Sequence, residues 1–360
     1  MTDSETAEQG DTARLRPGPA TAQRRRRSAS MADVARLAGV SAQTVSRVSN
    51  GAPGVVDATR QQVLAAMKEL GYRPNSAARA LKSGRFHTIG VILFNISTTG
   101  NTRTLEAIAT SAAAEGYAIT LLPVAAATQD SVRGAFTRMG ELAVDGIIML
   151  MEAHLLDAST VTLPPRALAV VADSNAGDRY RVVDTDQVGG AQAAVQHLLQ
   201  LGHDTVWHVA GPADSYSAER RVEAWRSALQ SRRREVPEPL RGDWTADSGY
   251  RAGLQLAEEP DCTAVFVAND QMALGLLRAL HEHGLRVPED ISVVGFDDLP
   301  EAGSFLPPLT TVHQDFSEVG RRCVEELLAQ IRNDQEATGT TLVPTRLVTR
   351  ASTAPPRSTR

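Results

Sequence analysis

Two sets of side chains in this sequence have types and spacing suited to recognition chemistry. The first lies in SAQTVSRVSN, where Gln43 and Arg47 stand four residues apart, one turn of a helix, with Ala42 beside them. A glutamine amide can pair bidentately with adenine and a guanidinium with guanine, while alanine offers a methyl contact to thymine. The hydroxyls of Ser41, Thr44 and Ser46 suit phosphate oxygens, which set register without reading sequence. The second set closes apolar runs: Asp173 ends ALAVVAD, Asn269 lies at the end of AVFVAND, Asp297 lies in DISVVGFDD, and Arg221 follows the loop GPADSYSAER. Carboxylates and an amide exchange hydrogen bonds with vicinal hydroxyls, and Arg adds a planar fork, which suits a polyhydroxylated ligand.

Each set needs elements to hold it. Ser30 can cap a helix whose apolar positions Met31, Val34, Ala35 and Ala38 recur at helical spacing, and Gly39 suits its left-handed end. Ser41 then caps a second helix with Val45 and Val48 inward. Asp57 is expected to cap a third, with Val63, Met67 and Leu70 on one face and Gly71 after its end. Helix, short turn, helix presents the start of the second helix to a DNA major groove. From residue 88 short apolar strands alternate with amphipathic helices in two successive series, including helices near 103 to 115, from Gly189 to Leu201 and from Glu219 to Gln230. Strand–helix alternation means parallel sheets, and two doubly wound lobes fit the length. Ligands of such sheets bind beyond the carboxyl ends of the strands, and a cleft between lobes is the natural place.

Charge supports this division. Residues 24 to 85 hold twelve Lys and Arg, four of them in the run Arg24 to Arg27, against three Asp and Glu, although the whole chain is −5. A basic head on an acidic body is drawn to a polyanion in one orientation. No stretch approaches the roughly 18 consecutive apolar residues of a membrane span. The first thirty residues are polar with an Arg run, so a cytoplasmic protein without membrane contact is expected. Cys262 and Cys323 lack metal-ligand spacing and read as reduced packing residues, so neither a metal nor a cofactor is expected. His203, His208, His281 and His283 read as scattered surface or packing residues. No phosphate-binding glycine loop, dinucleotide fingerprint or nucleophile elbow follows a strand, and the polar cluster lacks a nucleophile paired with a base, so no catalysis is assigned.

The string ADVARLAGVSAQTVSRVSN, followed by VVDATRQQVLAAMKELGYRPNSAARALKSG, resembles the DNA-binding head and hinge of the LacI/GalR family of repressors nearly position for position. It departs at Ser49, where the family usually has an apolar residue, and at Ala42, a position that varies with operator. The resemblance implies that Pro74 to Gly84 is a hinge that becomes helical when two chains lie side by side on DNA, with Asn75 as its cap and Ala78 and Leu81 on one face. Leu81 would then wedge into the minor groove; on its own the segment reads as a flexible linker. VANDQMALGLLRALHEHGLRVPEDISVVGFDDLPEAGSFLPPLTTVHQDF and GDWTADSGY are likewise similar to the family's effector-binding body. By that resemblance Asp173, Arg221, Asn269 and Asp297 bind sugar hydroxyls, Trp244 stacks on the apolar face of the ring, and Phe316 lines the crossover. FNISTTGNTRTLEAI departs, placing Thr98, Thr99 and Asn101 where a more apolar wall is expected, which points to a di- or oligosaccharide such as a β-galactoside.

The expected organisation is an arm at 1–28 and a tail at 354–360, both disordered, around a helix-turn-helix head at 29–73, a hinge at 74–87 and a two-lobe body at 88–353. Two-fold operators are read by dimers, and the Pro-rich end TRLVTRASTAPPRSTR cannot form the coiled coil that a tetramer would need. A homodimeric repressor on pseudo-palindromic DNA, released by a sugar, is therefore expected. A corepressor of the opposite sign stays open, and a sugar-binding protein without DNA is a remoter alternative.

Overall fold

The computed structural model describes residues 29–49, 52–72, 84–93, 98–124, 129–150, 168–174 and 176–357. The arm and the hinge residues Asn75, Ala78 and Leu81 lie outside them. The chain divides after Arg79 into two compact units.

The first unit is all helical: α1 (Met31–Leu37), α2 (Ala42–Ser49) and α3 (Asp57–Leu70). Ser30 caps α1, and Asp33 returns the bond to the Ser30 backbone, a reciprocal capping box that satisfies two end N–H groups. Val34, Ala38, Val45, Val48, Val63 and Met67 close a small core between the three helices. Two expectations need correction. Val56, not Asp57, occupies the cap position of α3 without a side-chain cap bond, so Asp57 sits inside the first turn and acts only through its charge. Leu70 is 36% exposed, because the last turn of α3 extends past the helices it packs on.

The second unit holds two six-stranded sheets. One lobe is built on β1 (Thr88–Leu93), β2 (Ala118–Pro123), β3 (Gly146–Leu150), β4 (Ala169–Ala172), β5 (Arg181–Thr185) and β11 (Gly339–Val343), all parallel in the order β11-β5-β4-β3-β1-β2. Helices α4 (Thr99–Ala114), α5 (Gln129–Glu141) and α10 (Phe316–Asn333) belong to this lobe. The other lobe orders its strands β12-β10-β9-β8-β6-β7, from β6 (Trp207–Ala210), β7 (Leu240–Arg241), β8 (Ala264–Val267), β9 (Ser292–Asp297), β10 (Thr310–His313) and β12 (Arg346–Val348). Only β12 runs antiparallel there. Its helices are α6 (Gln187–Gln200), α7 (Tyr216–Ser231), α8 (Ala246–Ala257) and α9 (Asp270–Glu282). The chain passes between lobes after β5, after β10 and after β11, so neither lobe is a continuous segment. Strands such as β3, β4, β8 and β9 are buried along their whole length, which is why they read as unbroken apolar runs and not as alternation.

Expected helix starts move toward the N-terminus. The helix after β1 begins at Thr99 rather than near 103, and α7 begins at Tyr216, capped by Ser215, rather than at Glu219. Residues 354–357 are not a loose tail. The Ala354 carbonyl accepts from the Ser292 hydroxyl at 2.9 Å and lies 3.0 Å from His203 Nε2, and Arg357 pairs with Asp290 at 2.5 Å. Pro355 and Pro356 rule out helix but suit an extended strip laid against a surface.

Candidate functional site

In the helical unit, α2 presents Ser41, Ala42, Gln43 and Arg47 as exposed residues, while Val45 and Val48 are buried. Thr44 and Ser46 are half-buried. Ser41 caps the helix through the Thr44 amide at 3.1 Å, and the two hydroxyls lie 2.9 Å apart. Arg47 Nη2 donates to the Pro53 carbonyl at 2.8 Å. The guanidinium is thus parked on the turn that follows α2, over Gly54, where a Cβ would stand 3.0 Å from it. Reading a base would require Arg47 to leave this carbonyl.

In the two-lobe unit, the strand ends and helix starts meet around a cleft of about 440 Å³. All six residues expected from the sequence line it: Asp173, Arg221, Trp244, Asn269, Asp297 and Phe316. Thr98, Thr99 and Asn101 form the opposing wall at the start of α4. The starts of α6, α7, α9 and α10 contribute Gln187, Ser217, Gln271 and Phe316. Helix N-termini converging on one space offer the positive ends of their dipoles to ligand oxygens.

Arg221 organises the floor. It is 4% exposed, its Nε donates to Gln187 Oε1 at 2.8 Å, and Nη1 donates to the Ala268 carbonyl. Nη1 stands 4.0 Å from Asp297 Oδ1. The guanidinium lies over the Phe296 ring at 3.8 Å and 5.6 Å from the Trp244 ring, so aromatic faces replace part of its lost water. Gln314 Nε2 donates to Asp297 Oδ1 at 2.6 Å, and its Oε1 accepts from Gln187 at 3.4 Å. Burial pushes the Asp297 carboxyl up to about 6 while Arg221 and Gln314 pull it down. Asn269 caps α9 through the Met272 amide and donates to the Trp244 carbonyl, fixing the loop that carries the indole.

Three cleft residues hold backbone angles that favour glycine: Asp173 at φ 53°, Trp244 at φ 71° and Asp297 at φ 116°. Such strain persists where surroundings over-determine it, and it concentrates at binding sites. Three buried polar atoms of the lining lack any partner: Thr98 Oγ1, Asp173 Oδ1 and Trp244 Nε1. Thr98 precedes α4 in the cap position yet makes no side-chain cap bond. The hydroxyl and the indole N–H are therefore left in one space for something else to satisfy.

Sequence reasoning missed Gln187, Ser217, Gln271 and Gln314. Gln314 directly follows β10, Gln187 and Gln271 follow β5 and β8 within a few residues, and Ser217 lies beyond the longer loop after β6, so a systematic reading of strand ends had the signal for three. Among the described residues no group of three or more His, Cys, Asp or Glu could hold a metal ion, and no helix is long and apolar enough to cross a membrane. Cys262 and Cys323 are free and buried. His203 and His208 are both 1% exposed core residues.

A helix-turn-helix unit joined to two α/β lobes around a polar cleft defines a ligand-sensing regulator. Residues 30–75 match the family model for bacterial regulatory proteins of the lacI family, and residues 195–353 match a periplasmic binding protein-like domain. The lactose operon repressor of Escherichia coli is 36% identical over 332 residues, 91% of each chain. The HTH-type transcriptional regulator CelR of Thermobifida fusca is 35% identical, covering 90% of this chain and 96% of its own. Among solved structures, the lac repressor dimer bound to operator and the anti-inducer ONPF superposes with a TM-score of 0.81 at 34% identity, over 91% of this chain and 100% of that one. The chain belongs to the LacI family of bacterial transcriptional regulators.

Proposed function

We propose that this protein is a cytoplasmic, homodimeric repressor of a carbohydrate-utilisation operon, released from a pseudo-palindromic operator by a di- or oligosaccharide inducer such as a β-galactoside. The observation that carries the ligand class is the pair of unpartnered atoms Thr98 Oγ1 and Trp244 Nε1 around the Arg221 floor, with the Asp173 and Asp297 carboxyls beside them. A ring with vicinal hydroxyls supplies a partner to both atoms and an apolar face to the indole. Asp173, Arg221, Asn269 and Asp297 hold the hydroxyls, Trp244 stacks on the ring, and Phe316 closes the crossover side. No catalytic role is proposed.

DNA is read by Ala42, Gln43 and Arg47, with Ser41, Thr44 and Ser46 on phosphates and Asn75, Ala78 and Leu81 acting in the minor groove. Relatives point the same way: CelR is known in complex with cellobiose, and the lac repressor as a dimer on its operator. Leu306 stands 91% exposed at a hollow lined by Leu277, Leu285, Val287 and Pro307 together with His281, Arg286 and Glu289, and an exposed apolar side chain of this kind is one that a second copy covers.

Fluorescence anisotropy of labelled DNA from upstream of the gene, at two salt concentrations and with a panel of mono- and disaccharides, tests this. Tight, salt-sensitive binding abolished by one sugar supports an inducer. Binding that requires a sugar reverses the sign to corepression, and indifference to every sugar overturns the carbohydrate assignment.

A further inference from the structure

Behind the cleft lies a second carboxyl that no ligand would touch. Asp184, near the end of β5, is 6% exposed and does not line the cleft. β4 pairs with β5 with Ala172 opposite Val183, and the Asp173 amide donates to the Val183 carbonyl at 3.3 Å, so Asp173 and Asp184 are neighbours on adjacent strands with their carboxyls facing each other. Two carboxylates have no hydrogen to share, and each of these residues has a buried Oδ1 with no partner when both are counted as acceptors. A proton on the pair is what the contact requires. The hydroxyl of Tyr216, at the start of α7, donates to the other oxygen, Asp184 Oδ2, at 3.3 Å.

The surroundings point to one proton rather than none. Arg221 on α7 is the cation that acts on Asp173, and it already serves Asp297. Arg220 lies 5.8 Å from the Tyr216 ring. Asp297 at the end of β9 adds negative charge, and Cys323 on α10, close enough to feel Asp173, is a buried thiol pushed up by desolvation. Burial and then the Asp173 charge push Asp184 up to about 8, and burial raises Asp173 as well.

We propose that Asp173 and Asp184 hold a single proton between them, and that Asp184 is thereby a positioning residue that makes occupancy of the cleft proton-linked. This rests on the reading of the cleft as a hydroxyl-binding site. With the proton in place between them, Asp173 is held by Asp184 and its remaining lone pairs accept from a ligand hydroxyl. When it is lost, two adjoining buried carboxylates repel, and Asp173 moves off the position that a ring hydroxyl needs. Nothing is transferred to the ligand; the proton leaves to solvent.

Infrared difference spectroscopy of the full-length protein counts the carboxyl directly. Asp270 is also pushed up to about 8 by burial, so the protonated-carboxyl band is read as wild type minus Asp184→Asn. The difference band is expected at pH 7, titrating away near pH 8. In Tyr216→Phe, which removes a donor that favours the charged form of Asp184, the band persists to higher pH. Affinity for whichever of lactose, cellobiose or ribose binds is then followed from pH 6 to 9.5 by calorimetry. In wild type it falls toward tenfold per pH unit above the transition, and in Asp184→Asn, whose amide donates to Asp173 without titrating, it stays flat. Absence of the difference band at pH 7 overturns the shared proton whatever the sugars do. A band that titrates while wild-type affinity stays flat overturns the linkage. A band with no sugar bound at any pH supports the shared proton and counts against the sugar reading of the cleft, so the two failures are distinguishable.

Discussion

Gln271 Nε2, in the first turn of α9, donates to Thr99 Oγ1, at the start of α4 in the other lobe, across 2.6 Å. Both residues line the cleft, so the two lobes are joined at its mouth by their own side chains. A part-buried bond of this kind is worth about 0.5–1.5 kcal/mol. Gln271→Ala should therefore weaken cleft closure and reduce sugar affinity by roughly two- to tenfold. Thr99→Ala should do the same, and the double variant should be no worse than either alone, since both lose one bond. Calorimetry on the three variants checks this; additive losses would mean that the pair does not act as a unit.

Arg221 is the one side chain of the cleft floor that faces Asp297, Gln187 and two aromatic rings together. Removing one partner of a buried charge pair typically costs about 3–5 kcal/mol, because the other is left uncompensated. With Arg221 and Asp297 at 4.0 Å, the lower end, about 3 kcal/mol, is expected for Arg221→Ala. Denaturant unfolding should show the two-lobe unit destabilised by that amount, and operator release by sugar should be lost. Arg221→Lys keeps a charge but cannot bond Gln187 and Ala268 in one plane, so it should retain more stability than response.

On α2 the expected signature is a difference between two variants. Arg47→Ala should relax operator specificity at the base pair it reads by about 1–3 kcal/mol. Ser41→Ala should weaken binding to all sequences alike and destabilise the helical unit by about 1 kcal/mol through the lost cap. Because Arg47 must leave the Pro53 carbonyl to reach a base, Gly54→Ala, whose Cβ would stand 3.0 Å from Nη2, should dislodge the guanidinium and keep base-pair specificity where Arg47→Ala loses it, while straining a residue at φ 86°. Competition titrations with single-base operator variants separate these outcomes.

These sites were legible in the sequence to unequal degrees, for physical reasons. Asp173, Asn269 and Asp297 could be found because strand ends in a doubly wound sheet point at the ligand, and Ser30 and Ser41 because cap chemistry is local. Gln314 was passed over although it directly follows β10, because only the pairing of β10 with β9, which sets His313 opposite Asp297, brings it to that carboxyl. Asp184 carries no local signal, since only the pairing of β5 with β4 sets it beside Asp173. The same holds for residues 354–357, where composition suggested a free tail but the carbonyl of Ala354 meets two donors from distant segments, His203 and Ser292. The expected cap at Asp57 failed by one residue, which is the usual limit of boundary reading.

His208 sets one arm of the pH dependence of stability. It is 1% exposed, stacked on Phe266 at 4.7 Å, with Nδ1 2.8 Å from the Phe266 carbonyl and Nε2 buried without a partner. Burial holds the ring neutral and pushes it down to about 3 from 6.5. In this base the unfolded chain takes up a proton below about pH 6.5 while the folded state refuses it, so stability falls as pH falls from 6.5 toward 3 and is unaffected above. The full displacement corresponds to at most about 5 kcal/mol. Asp270 works in the opposite direction: burial and the Asp297 charge push it up to about 8, although Thr311 and the Leu299 amide bond its oxygens. A raised acid contributes fully below its unfolded value of 3.8, and that contribution is lost as pH rises through 8. Between pH 3.8 and 6.5 the two oppose each other, so this pair leaves stability level there, falling above 6.5 through Asp270 and below 3.8 through His208. Denaturant titrations between pH 3 and 9 should show His208→Leu flattening the acid arm and Asp270→Asn flattening the alkaline one. An acid arm left unchanged in His208→Leu would place its origin in another group.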